Sequence, residues 1–93
     1  MNVLIKKAEK QMNKGNYIKA LEYYKEFNIE TNNREYFEGK EKVIRDSFFN
    51  IAVCTAKLGR FEEALKMFQE LNRNKETKEL KEIIKVLGEL LVA

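Results

Sequence analysis

Gly15-Asn16-Tyr17-Ile18-Lys19-Ala20-Leu21-Glu22-Tyr23-Tyr24-Lys25-Glu26-Phe27 aligns without gaps on Gly59-Arg60-Phe61-Glu62-Glu63-Ala64-Leu65-Lys66-Met67-Phe68-Gln69-Glu70-Leu71, at a constant offset of 44 residues. Each segment carries a Gly, an aromatic two places on, an Ala-Leu pair, and a second aromatic four places after the Ala. Helix geometry accounts for this spacing. Gly adopts the left-handed conformation cheaply, so Gly15 and Gly59 are expected to close one helix and let the chain reverse into an antiparallel partner. Ala20 and Ala64 then stand where two helices cross closely, with Tyr24 and Phe68 one turn later on the same face.

The pattern extends outward from both blocks. Upstream of Gly59, Phe48, Ile51, Ala52 and Thr55 fall at helical spacing, with Phe49, Val53 and Ala56 on an adjacent stripe, so this helix is expected to have two packing partners. The same phase continues back through Ile44, Val43, Phe37 and Tyr36, which predicts one helix from Arg34 to Leu58, with Gly39 as its weak point because Gly costs about 1 kcal/mol relative to Ala in a helix interior. Glu30-Thr31-Asn32-Asn33 is polar and predicts a loop, and Asn72-Arg73-Asn74-Lys75 predicts a second break. Leu80, Ile83, Ile84, Leu87 and Leu91 give a last helix, starting near Glu76 or Thr77, an apolar face. Helices are therefore expected at about 2–14, 17–29, 34–58, 61–73 and 76–91.

These residues resemble the tetratricopeptide repeat, whose pattern is a large residue, Leu-Gly, Tyr, and later Ala-x-x-x-Phe followed by Pro. Phe48, Ile51-Ala52, Thr55 and Ala64-x-x-x-Phe68 fill those places in the second copy; Leu4, Lys7-Ala8, Gln11 and Ala20-x-x-x-Tyr24 fill them in the first. Lys7 and Gln11 are poor core residues, which suits an edge helix with one face in water. The 44-residue offset exceeds the usual period of about 34, and no Pro follows either second helix. The extra residues are expected to lengthen the end of the second helix and the start of the third. The resemblance implies an all-α domain of two antiparallel hairpins, winding as a right-handed α-α superhelix, plus a C-terminal capping helix. One domain then spans 1–93, with repeats at about 1–30 and 34–74 and the cap at about 76–91.

Composition agrees with a single helical unit. Hydrophobic residues are 44% and charged residues 35% of a 93-residue chain, enough for one core and not for two, and Pro is absent. No stretch is long and apolar enough for a membrane span, and the N-terminus lacks a signal peptide's apolar run, so a cytoplasmic location is expected. Met1 and the lack of tag residues suggest a complete chain. With no His, the commonest general base and metal ligand is missing. There is also no phosphate loop, Cys-x-x-Cys pair or calcium loop, so neither an enzyme nor a cofactor or metal site is expected. The lone Cys54 lies between two apolar stripes, where a packing role is expected, and it agrees with a reducing compartment. Glu62 and Glu63 suit the positive end of a helix dipole better than paired-carboxylate chemistry. The net charge of +3 comes from 18 basic and 15 acidic residues that alternate in sign, as a solvated surface does. Only Lys6, Lys7, Lys10 and Lys14 form a one-signed stripe that could meet a nucleic acid, an alternative that the mixed charge elsewhere argues against.

The expected function is therefore a protein-protein interaction scaffold or adaptor. The resemblance places its groove on the first helix of each repeat. By helical phase the groove residues are Ile5, Glu9, Met12 and Asn13, preceded by Asn2, on the first helix, and Asp46, Phe49, Asn50, Val53 and Lys57 on the third. Ile5, Met12, Phe49 and Val53 would anchor a partner's helix or extended peptide. The same four could instead pack against the fifth helix or a second subunit. Some members of the family hold acidic C-terminal peptides in a clamp of Lys, Asn and Arg; here only Asn50 matches, and Ile5, Glu9 and Asp46 speak against that ligand. A homodimer is the other alternative, because two repeats plus a cap fall short of the three that stacked arrays usually need, and Val86 to Ala93 holds more hydrophobes than one helix face hides.

Overall fold

The computed structural model describes residues 3–32 and 41–92. Five helices follow in order: α1 (Val3–Asn13), α2 (Tyr17–Asn32), α3 (Glu41–Lys57), α4 (Phe61–Asn74) and α5 (Lys78–Val92), and the described residues include no strand. Each helix packs mainly on its neighbour in the chain: α1 on α2, α2 on α3, α3 on α4 and α4 on α5. The fold is all-α, two antiparallel helix hairpins followed by a fifth helix.

The reversals inside the two hairpins are built alike. Gly15 has φ +78° and Gly59 φ +85°, the left-handed region where an L side chain is strained. At the first, the Gly15 N–H donates to the Met12 carbonyl (3.0 Å) and the Asn16 N–H to the Gln11 carbonyl (2.9 Å). At the second, Gly59 donates to Ala56 (3.0 Å) and Arg60 to Thr55 (3.1 Å). This paired 5→2 and 6→1 bonding is the Schellman cap, which satisfies carbonyls that a helix end leaves open. The residue after each Gly already begins the next helix: the Asn16 carbonyl accepts from Ala20 and the Arg60 carbonyl from Ala64. Asn16 adds a side-chain cap to the Lys19 N–H (3.3 Å), which Arg60 does not supply to α4.

So short a link forces the helices together, and small residues make that possible. Ala8, Ala20, Ala52 and Ala64 are all fully buried, and Ala52 stands 44 positions after Ala8. Ala8, Ala20, Tyr24 and Phe27 join Ile5, Leu21, Ile51 and Cys54 in one cluster drawn from α1, α2 and α3. Ala52, Ala64 and Phe68 join Leu80 and Leu87 in a second, drawn from α3, α4 and α5. The two stripes of α3 thus serve two cores. Between α2 and α3, the buried Ser47 hydroxyl lies 2.6 Å from Asn28 Oδ1 and 2.8 Å from the Ile44 carbonyl. A buried polar pair of this kind is costly when mismatched, so it holds the two hairpins in one register.

Two expected boundaries change, and the last helix begins within a residue of the expected Glu76 or Thr77. Residues 30–32, expected in a loop, belong to α2, which continues through Asn32: burial of Phe27 and Asn28 against α3 outweighs the weak turn preference of Thr31 and Asn32. The break placed at 72–75 is shorter, since the Lys75 N–H still bonds the Leu71 carbonyl and α4 runs to Asn74. The last helix starts at Lys78 with Thr77 as its cap, whose Oγ1 accepts from the Leu80 N–H at 3.1 Å. The stretch 34–40, where the third helix was expected to begin and where Tyr36, Phe37 and Gly39 lie, is outside the described residues.

Two glycines separate backbone strain from helix propensity. A Cβ at either Gly59 or Gly88 meets no atom within 4 Å, but only Gly59 has a positive φ. Gly59→Ala should lose about 1–2 kcal/mol of stability through its left-handed backbone, whereas Gly88→Ala, inside α5, should gain about 0.5–1 kcal/mol. Urea denaturation of the two variants checks the opposite signs.

Candidate functional site

Helical phase puts ten residues on one face, and the structure divides the nine that it describes. Ile5 is 7% exposed and sits inside the first core cluster, so it holds α1 to the fold and offers no surface to a partner. Phe49 and Val53 are half-buried against the second cluster, and the Phe49 ring meets Phe68 edge-on with centroids 5.6 Å apart. All three pack within the chain, and Phe49 and Val53 keep part of their surface accessible.

Glu9, Met12 and Asn50 come together at the seam between α1 and α3, around two buried groups. The Met12 sulfur lies 3.2 Å from Cys54 Sγ. Asn50 is hydrogen-bonded to the Tyr24 hydroxyl, and Glu9 lies close enough for its charge to act on the same phenol. Burial, with the charges of Glu9 and Cys54 behind it, pushes the Tyr24 phenol up to about 12, the Asn50 bond pulling the other way. Burial pushes the Cys54 thiol up to about 11, a backbone hydrogen bond pulling the other way. A thiol so protonated and covered is a packing group and not a nucleophile. Asn13 and Lys57 are exposed at the ends of α1 and α3, and the exposed Asp46 pairs with Lys42 at 3.2 Å. Asp46 and Phe49 also border a cleft of about 370 Å³ with Lys75 and Glu79. Asn2 lies outside the described residues.

A larger groove opens elsewhere. It measures about 600 Å³ and runs between α2 and α4 across α3, with Phe48 and Ile51 as its floor and Ile29, Met67 and Leu71 as its walls. Lys25, Asn28, Glu70 and Asn74 form the polar rim. Phe48 is 43% exposed and Ile29 63%, a large price in uncovered apolar surface for so small a chain. The repeat pattern hid this site, because it assigned Phe48 to the core as the repeat's opening large residue. The signal available was Ile29, an apolar residue at the place where the second copy has Arg73.

The lysines of α1 all stay exposed, and Lys7 Nζ lies 5.9 Å from the centre of the Tyr23 ring, a weak cation–π contact. No group of three or more His, Cys, Asp or Glu among the described residues could hold a metal, and none of the described helices is long and apolar enough to cross a membrane. No protein-family model matches the chain, and no curated protein or solved structure matches it either.

The buried thiol and phenol fix the response to alkali. Both are neutral when protonated, and both have folded values above the ordinary 9.0 and 10.0. Between those values and about 11 and 12, the folded chain keeps protons that the unfolded chain has lost, so stability that is complete below pH 9 falls as the pH rises. Denaturant midpoints measured from pH 8 to 11 should fall steadily in the wild type and less steeply in Cys54→Ala.

Proposed function

We propose that the chain is a non-catalytic interaction module of the tetratricopeptide type, cytoplasmic, in which two repeats and a capping helix hold a helix or peptide of another protein. The observation that supports this most directly is the open groove over Phe48, flanked by Ile29 on one side and Met67 and Leu71 on the other. Its form suits the apolar stripe of an amphipathic helix, which presents residues three and four apart to a groove. The rim offers few polar groups, with Asn28 already bonded to Ser47 and Glu70 paired with Arg73, which favours recognition by shape and apolar contact over recognition of a charged terminus.

The α1–α3 face to which the family resemblance points keeps Met12, Asn13, Asn50 and Lys57 at least partly accessible, but its apolar members are largely committed to the fold. Binding of nucleic acid by α1 has less support, because Glu9 interrupts the lysines and one of them lies over Tyr23.

Two neighbouring phenylalanines test the choice of face. With Phe48→Glu, affinity capture from the native host should lose its partner by about tenfold or more, since a buried charge in an apolar groove costs well over 1.4 kcal/mol. Circular dichroism and the melting temperature should be unchanged. Phe49→Ala should instead destabilise the fold by about 2–3 kcal/mol, through lost burial and the lost ring pair. Retention of every partner by Phe48→Glu, with loss on changing Met12 or Asn13, would move the site to the α1–α3 face.

A further inference from the structure

Apolar surface is also left uncovered on α5. Leu80 and Leu87 bury one face of that helix against α4, while Val86 and Leu90, four residues apart, stay 48% and 53% exposed. Ile83, half-buried, continues the same stripe toward the start of the helix. Helices that end a fold normally turn polar side chains outward. The surplus stripe on α5 therefore has the chemistry of a ligand, and the groove between α2 and α4 has the chemistry of its receptor.

The two cannot meet within one chain. To reach its own groove α5 would have to leave α4, exposing Leu80, Leu87 and the second core that they close. Between chains no such rearrangement is needed, because α5 stays on α4 and offers the opposite face. Charge supports the match. Glu82 and Glu89 run along the edge of the stripe, one on each side of Val86 in sequence, and neither belongs to an ion pair among the described residues. Lys25 stands on the α2 wall of the groove and likewise belongs to none of those pairs, whereas the Glu70 carboxylate on the α4 wall is already neutralised by Arg73 at 2.7 Å. Rim charges of this kind set orientation more than affinity.

We infer that the occupant of the groove is α5 of a second copy of this chain, its Val86 and Leu90 seated over Phe48 and Ile29; this rests on the reading of the groove as a docking surface. Reciprocal docking, each copy's α5 in the other's groove, closes as a twofold pair and leaves neither feature exposed.

Sedimentation of the full chain tests it, with Phe48→Glu and Leu90→Glu as single variants whose folding is checked by circular dichroism. Both positions are exposed, so both variants should fold. The wild type should be a dimer and each variant a monomer. Mixing the two variants should regenerate a heterodimer, because the groove of the Leu90→Glu chain and the α5 of the Phe48→Glu chain remain intact. If Phe48→Glu stays dimeric while Leu90→Glu dissociates, α5 pairs with α5 and the inference fails. It also fails if the mixture forms no more heterodimer than either variant alone. A wild type that is monomeric at millimolar concentration overturns self-docking alone, leaving the groove to the capture experiment. Loss of effect of Phe48→Glu in both experiments overturns the groove itself.

Discussion

The fold depends on two reversals of the chain, each made by a glycine in the left-handed conformation and one further residue. Because Asn16 and Arg60 both finish one helix and begin the next, no slack remains, and the paired helices must approach as closely as their side chains allow. The fully buried alanines at positions 8, 20, 52 and 64 are the counterpart of that constraint. A larger residue there would push the hairpin apart against a link too short to yield. Tyr24 and Phe68, one turn beyond the alanines, are buried beside them.

From this constraint follows the central place of α3. It receives α1 and α2 on one side through Ile51 and Cys54, and α4 and α5 on the other through Ala52, Phe49 and Val53. Two small cores thus share one helix in place of a single large one, as expected where each unit contacts only its neighbours. Stability in such an arrangement is carried across by the interfaces between units, and here the interface between α2 and α3 includes a buried polar contact, Asn28 with Ser47. An apolar interface alone would tolerate sliding by a turn; the buried contact between Asn28 and Ser47 opposes it, since displacement breaks that hydrogen bond.

How much of this could be read from residues alone differs by feature, for physical reasons. The hairpins were legible because glycine's conformational freedom and alanine's size are properties of single residues, and the 44-residue offset shows both twice. The two stripes of α3 were legible for the same reason, as periodicity. Helix ends were less so: Thr31, Asn32, Arg73 and Asn74 have turn or loop character locally and are helical because packing elsewhere extends the helix. The candidate site was least legible. Phase shows which residues share a face, but exposure depends on what lies opposite. Ile5 and Phe49 share a predicted face with Asn13 and Lys57, yet the first pair is packed and the second exposed. Phe48, placed in the core by its pattern, lies instead at the floor of an open groove.

That groove is itself a consequence of the architecture. Stacked hairpins bring second helices side by side without pressing them together, since each is held tightly only to its own partner and to the helix that follows. Between α2 and α4 the spacing is set by α3 beneath them, and the side chains available to fill it, Ile29, Met67 and Leu71, belong to walls whose main burial is elsewhere. Burying more of Phe48 from within would require α2 and α4 to tilt toward each other, which the two alanine-packed hairpins resist. The uncovered apolar surface is thus not a local packing error that one substitution would cure. It is the cost of joining two rigid hairpins through a single shared helix.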